Sequence, residues 1–396
     1  MYLTSEEEKM LNGEMGQATQ VAMEILVALG EIYGAEKMVP IVSAQISGVS
    51  YKNLGEAGLE WLEGLSRDGK VRVKTTLNPS GVDFDQWREM GISESFVEKQ
   101  KRVINAYLAM GIQPTLSCTP YLAGNLPKFG EHLAWGESSA VIFANSVIGA
   151  RTNREGGPSA LAAALTGRTP YYGLHITENR SYSMRVKVPE LKDEYDFALL
   201  GHVVGKISRG RIPLFTGIKS ANHSELKALG ATLSLTGGTP MFHIDGLTPE
   251  YTITPTSKVE EIEIEDRELK DAAEEFKDEV DPELIFIGCP HASLEELIML
   301  LDRLEGRMVK KKVWVYVSRA VSDLARALGI YQKLEKLGVR ILSDTCPIIA
   351  PINELNIKSV ATNSVKGAWY SRNLNNLKVK LLRLNDLVEE AVKDVR

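Results

Sequence analysis

Cysteine occurs at only three positions in this chain, and the three settings are alike. Cys118 sits in "PTLSCTPYLAGN", Cys289 in "LIFIGCPHAS" and Cys346 in "RILSDTCPIIA", each with proline one or two positions on. Proline fixes φ and removes a backbone donor, so it stiffens a loop that must hold a thiolate in place. An odd number of cysteines cannot all pair, and a reducing compartment leaves them as thiols free for metal or chemistry. Three thiolates suit an iron–sulfur cluster in which one iron lacks a protein ligand. Such an iron is a Lewis acid toward a substrate hydroxyl and carboxylate, and it eases the departure of hydroxide. Zinc on Cys118, Cys289, Cys346 and His291 is a competing Cys3His set, although the usual close spacings of structural zinc ligands are missing. Three unrelated buried thiols are the plainest alternative, since free cysteine is among the most buried residue types.

Thiols this far apart in sequence can act together only if the elements before them end in one place. Residues 15–33 carry apolar positions at helical spacing, followed by an apolar run "MVPIVSAQI" that predicts one buried strand. A loop, Gly48-Val49-Ser50, precedes an amphipathic helix "LGEAGLEWLEGL", and "KVRVKTTL" alternates as a strand up to the turn signal Asn78-Pro79-Ser80-Gly81. Later the pattern becomes regular: strand "ELIFIG", helix "SLEELIMLLDRLEG" opened by the capping box of Ser293 and Glu296, strand "KVWVYVS", one helix through "DLARALGIYQKLEKLG", strand "VRILSD" and strand "IKSVATN". This alternation predicts an α/β fold of parallel, doubly wound sheets, with ligands outside the carboxyl ends of the strands. Cys289 and Cys346 both follow such strands. The expected organisation is an α/β catalytic region over 1–250, a charged junction over 251–280, and a doubly wound α/β region over 281–396.

The bulk numbers narrow the class of function. A chain of 396 residues with 44% hydrophobic and 25% charged residues has the composition of a globular enzyme. Its net charge of −6, with both signs interspersed, offers no footprint for nucleic acid or an anionic membrane. The start "MYLTSEEEKMLNGEMG" lacks the basic and apolar regions of a signal peptide, and no uninterrupted apolar run reaches about 18 residues, so the expected location is cytoplasmic. There is no P-loop or GxGxxG at a strand-to-helix turn.

Several long stretches carry a resemblance: "SAQISGVSYKNLGEAGLEWLEGL", "SCTPYLAGN", "AWGESSAVIFANSVIGARTNREGGPSALAAALTGRTPYYG", "GCPHASLEEL", "SDTCPIIAP" and "ATNSVKGAWY". Together they span roughly residues 45 to 370, and the sequence resembles the aconitase X family through them. The resemblance implies an aconitase-like fold and a hydro-lyase that removes water from (R)-5-phosphomevalonate, giving trans-anhydromevalonate 5-phosphate in a modified mevalonate route to isoprenoids. It implies a [4Fe-4S] cluster on Cys118, Cys289 and Cys346. It also implies a separately encoded small subunit, equivalent to the swivelling domain of aconitases and carrying a serine base. Within the family the rival substrate is another hydroxy acid, such as cis-3-hydroxyproline; outside it, the rival is a zinc-binding scaffold without catalysis.

Elimination also needs anchors for the substrate. Gly48, Val49 and Ser50 can turn backbone N–H groups toward an anion, and Asn78 and Pro79 can close the same pocket, though ordinary turn chemistry explains both. Glu137 and Ser138 lie at a predicted helix start, where capping is the simple role. The resemblance makes them substrate contacts, with Glu137 able to move a proton. Lys366, in the small-polar loop "NSVKG", is the expected cationic anchor. Arg151 and Arg154 are weaker candidates because buried arginine often braces loops. Trp369 and Tyr370 read as core or interface residues.

Overall fold

The computed structural model describes residues 1–255 and 258–394, so Thr256, Ser257, Val395 and Arg396 lie outside the described residues. A small antiparallel ribbon pairs β1 (Met38–Pro40) with β5 (Arg168–Pro170). Three parallel sheets carry the rest. The first contains β2 (Ser43–Ile46), β3 (Lys74–Leu77) and β4 (Leu133–Trp135) in the order β3-β2-β4. The second contains β6 (Met184–Lys187), β7 (Pro213–Thr216), β8 (His243–Ile244) and β9 (Glu260–Glu263), ordered β8-β7-β6-β9. The third contains β10 (Leu284–Ala292), β11 (Val313–Val317), β12 (Val339–Leu342), β13 (Ser359–Thr362) and β14 (Lys378–Leu381), ordered β12-β11-β10-β13-β14.

Each parallel sheet follows one rule. The strand that comes first in the chain lies between its successors, so consecutive crossovers leave it in opposite directions. That reversal opens a crevice at the carboxyl ends beside the first strand, where α/β proteins bind ligands. The strands β10 and β11 are near-continuous apolar runs, as expected of parallel strands covered on both faces. One apolar cluster joins Val186 and Phe215 of the second sheet to Phe286 and Trp314 of the third. A second cluster lies around the first sheet, and a third covers the other face of β10 and β11. Among the described residues no helix is long and apolar enough to cross a membrane.

Local departures from the sequence reading have local causes. The run "MVPIVSAQI" is two strands, β1 and β2, because the chain changes partners after Pro40. There Ile41 N–H donates to Gly167 O and Val42 N–H to His132 O. Only Lys74–Leu77 of "KVRVKTTL" is strand; Val71 and Arg72 donate instead to Met110 O and Ala164 O. The single helix expected over "DLARALGIYQKLEKLG" breaks into Arg319–Ala327 and Ile330–Lys336, with Gly329 between them at φ 72°. The charge-rich stretch after residue 251 supplies β9, which pairs with β6, and the helix Asp266–Glu274, so it extends the second sheet and does not merely link regions. Residues 1–250 accordingly hold the first sheet and most of the second.

Candidate active site

The cysteine loops leave two sheets and arrive in one place, where Cys118 is buried and Cys289 and Cys346 are half-buried. Cys118 ends a segment laid beside β3, with Gln113 N–H donating to Thr75 O and Ser117 N–H to Leu77 O. Cys289 lies in the irregular end of β10, where the register with β11 shifts between Ile287 and Ala292; its bond to Pro290 is cis. Cys346 follows β12. All three are free thiols. Burial raises the pKa of each, that of Cys289 to about 12. Each also feels the charges of Glu137 and Lys366, and Cys346 acts on both other sulfurs.

These thiols need a positive partner to ionise, and polar hydrogens already point at them. His291 N–H donates to Cys118 Sγ at 3.2 Å, and the Ile348 and Ile349 N–H groups face the Cys346 sulfur. Such donors tune the sulfurs of iron–sulfur clusters. Among the described residues, no three or more His, Cys, Asp or Glu side chains surround a single-ion position. Cys118, Cys289 and Cys346 are the free thiols that would hold a metal or cluster in this place. His291 is spent: Nε2 lies 2.8 Å from Thr345 O and Nδ1 3.2 Å from Ser117 Oγ. The Cys3His zinc set therefore loses its fourth ligand. Burial lowers the His291 pKa to about 4, which keeps the ring neutral.

Beside the cysteines lies a buried ion pair. Lys366 Nζ is 2.7 Å from Glu137 Oε1, 3.1 Å from Ser139 Oγ and 3.4 Å from Ser138 Oγ. Glu137 follows β4 and caps the helix Ser138–Phe143, its Oε2 accepting from Ala140 N–H at 2.8 Å and Ser139 Oγ at 2.5 Å. The capping role expected of Glu137 and its ion pair with Lys366 thus coexist, one oxygen for each. Burial alone would raise the Glu137 pKa, but Lys366 and these hydrogen bonds bring it below the ordinary carboxylate value. Lys366 sits in the first turn of the helix Val365–Asn373, after β13. Burial works against its charge, yet Glu137 leads the effects that raise its pKa overall. Ser364 caps this helix and donates to Cys289 O, closing the crevice between β10 and β13.

Two glutamines, unremarked in the sequence, join the remaining loops. Gln45 in β2 accepts from Glu137 N–H at 2.9 Å and donates to Asn78 Oδ1 at 3.3 Å and Ser117 O at 3.4 Å. Gln100 accepts from Tyr51 N–H and Gly81 N–H and donates to Val49 O, which fastens the Gly48–Ser50 loop to the Asn78–Gly81 turn. A polar residue on the apolar stripe of the helix Glu94–Ala109 was the available signal. Ser50 caps the helix Tyr51–Leu65 and donates to Ile349 O, beside Cys346. Gly48, at φ 75°, is exposed with open space where a Cβ would stand, whereas Val49 and Pro79 are buried. The glycine-rich block backs this loop: a Cβ on Gly157 would stand 2.8 Å from Ser47 O.

The arginines are not gathered here. Arg151 bonds His175 O and Thr177 Oγ1 and faces Glu250 at 3.5 Å, and Arg154 is exposed, bridging to Trp135 through its backbone. Trp369 and Tyr370 are half-buried, and Tyr370 contributes to the field at Lys366.

Parallel sheets whose strand ends gather three thiols, a carboxylate and a lysine define an aconitase-like catalytic chain. This chain belongs to the aconitase X family: the family's first-domain model matches residues 1–178, its second-domain model 182–274 and its third-domain model 282–393. The phosphomevalonate dehydratase large subunit of Thermococcus kodakarensis is 48% identical over 99% of this chain and 100% of its own length. The crystal structure of Thermococcus kodakaraensis aconitase X in its holo-form superposes with a TM-score of 0.93 at 47% identity, covering 99% of this chain and 100% of that one. More distant is the cis-3-hydroxy-L-proline dehydratase of Hypocrea jecorina, 38% identical over 94% of this chain but only 65% of the relative.

Proposed function

We propose that this chain is the large subunit of a phosphomevalonate dehydratase. It removes water from (R)-5-phosphomevalonate to give trans-anhydromevalonate 5-phosphate, with a [4Fe-4S] cluster on Cys118, Cys289 and Cys346 and a separately encoded small subunit completing the site. The end-to-end match to a phosphomevalonate dehydratase large subunit carries the choice of substrate. The hydroxyproline relative is less similar and about a third of it has no counterpart here.

When bound, the cluster supplies a Lewis-acid iron that eases loss of the substrate hydroxide. The chain's own residues do the rest of the positioning. Lys366 keeps Glu137 ionised in a buried site, so Glu137 can accept a hydrogen bond from the substrate hydroxyl and orient it. The hydroxyls of Ser138 and Ser139 accept from Lys366 and donate to Glu137, which holds the pair in place. Gly48, Val49 and Ser50 lead into a short helical turn that breaks at Gly55, φ 63°, and glycine at position 48 lets the loop turn backbone N–H groups toward a substrate anion, with Asn78 and Pro79 forming the adjoining wall. Abstraction of the proton alpha to the carboxylate falls to the small subunit. The reconstituted two-subunit enzyme, assayed anaerobically on a panel of hydroxy acids, tests the assignment: turnover of (R)-5-phosphomevalonate is expected, and turnover of cis-3-hydroxy-L-proline in its place would overturn it.

A further inference from the structure

His291 stands where the three cysteine loops meet, and three of its four polar atoms bond the loops of Cys118 and Cys346. The backbone N–H donates to Cys118 Sγ at 3.2 Å. Ring Nε2 lies 2.8 Å from the carbonyl oxygen of Thr345, the residue before Cys346. A carbonyl only accepts, so Nε2 carries the proton and Nδ1 of the neutral ring accepts from Ser117 Oγ at 3.2 Å. Ser117 immediately precedes Cys118, and His291 is itself two residues past Cys289. The His291 carbonyl accepts from Lys227 Nζ at 3.2 Å, and Lys227 is paired in turn with Glu296. One side chain and its peptide groups thus tie the Cys118 loop to those of Cys289 and Cys346, and tie all three to the helix His223–Gly237 of the second sheet's layer. His291, Ser117 and Thr345 are fully buried. With no exposed surface and both nitrogens occupied, the imidazole has no free atom for substrate.

We propose that His291 is a positioning residue that fixes the spacing of the Cys118, Cys289 and Cys346 loops, so that three sulfurs from distant parts of the chain form one preassembled socket. This rests on the cluster reading above. A cluster held by three protein ligands is released when any one loop moves away, so the link between loops governs how fast iron is lost. Removing comparable outer partners of metal ligands weakens binding by about 10- to 100-fold.

The test is iron release to a chelator from the anaerobically reconstituted two-subunit enzyme, followed by absorbance and by the electron paramagnetic resonance of the cluster. His291→Ala is expected to lose iron about 10- to 100-fold faster than wild type, Ser117→Ala to fall between them, and His291→Gln, which keeps one donor and one acceptor, to stay near wild type. A role confined to folding would lower the melting midpoint of His291→Ala yet leave iron release from its folded fraction at the wild-type rate, which overturns the proposal. Should His291→Ala fail to fold, Ser117→Ala against His291→Gln decides: equal, wild-type release from both overturns it. A wild-type enzyme that takes up neither iron nor sulfide overturns the cluster reading, and the role of His291 falls with it.

Discussion

At the level of single residues, the site is a problem of buried charge. Three thiols whose pKa values are raised by burial sit beside a carboxylate and an ammonium that hold each other ionised. Replacing any one of Cys118, Cys289 or Cys346 by serine should abolish iron and sulfide binding while leaving circular dichroism unchanged, and should cut kcat/KM on the order of a thousandfold, several kcal/mol of lost Lewis-acid assistance. Full iron content in any of the three would remove that position from the ligand set. Lys366→Met should cost about 3–5 kcal/mol, the expense of leaving Glu137 buried without its cation, read as a lowered unfolding midpoint. Its pH dependence has a definite sign. In the wild type the Glu137 pKa is depressed, so its stabilisation is present above the unfolded carboxylate value and fades as pH falls through the folded one. The Lys366 pKa is raised from 10.5, so its stabilisation is full below that value and fades in strong alkali. In Lys366→Met burial remains and the cation that offset it is gone, with only the bonds from Ser139 and Ala140 still favouring the charge, so the Glu137 pKa rises above its wild-type position and the variant's deficit should shrink as pH falls toward the carboxylate range.

At the level of elements, the site depends on strand ends that stop at defined points. Gly288, just before Cys289, has φ 101°, and a Cβ there would stand 2.2 Å from the Tyr316 carbonyl oxygen of β11. Gly288→Ala therefore meets both backbone strain and a rigid backbone atom, and should destabilise the chain by at least about 2 kcal/mol while displacing Cys289. Denaturant unfolding and iron content would report the two effects. Gln100→Leu leaves Val49 O, Tyr51 N–H and Gly81 N–H without their partner. Loosening the Gly48–Ser50 loop in this way should raise KM roughly tenfold with a smaller change in kcat; a fall in kcat at constant KM would place Gln100 nearer the chemistry.

Across the whole molecule, the chain presents a collection of strand ends from two sheets, joined by Gln45, His291, Ser364 and the Lys366–Glu137 pair. With the base for the alpha proton assigned to the small subunit, the large subunit alone should acquire iron and sulfide but show no measurable turnover, and adding the small subunit should restore it. Turnover by the large subunit alone would place the base on this chain.

How much of this was legible beforehand follows from the range of the forces involved. Apolar periodicity, caps and turn signals act over a few residues, so they revealed the parallel α/β class, the helix opened by Ser293 and Glu296, and the strand ends carrying Cys289 and Cys346. They did not show that β1 and β2 part company or that β9 crosses to pair with β6, because hydrogen-bond partners distant in sequence decide those points; the split of one helix into two at Gly329 is local, and the glycine was its signal. The sequence by itself determined which side chains were available: three proline-flanked thiols, Glu137, two serines and Lys366. Only the tertiary structure decided that they share one place. Bringing Lys366 within 2.7 Å of Glu137 spans 229 residues, and linking His291 to Ser117 spans 174. Contacts of that kind arise from sheet order and crossover direction, which no local pattern of residues encodes.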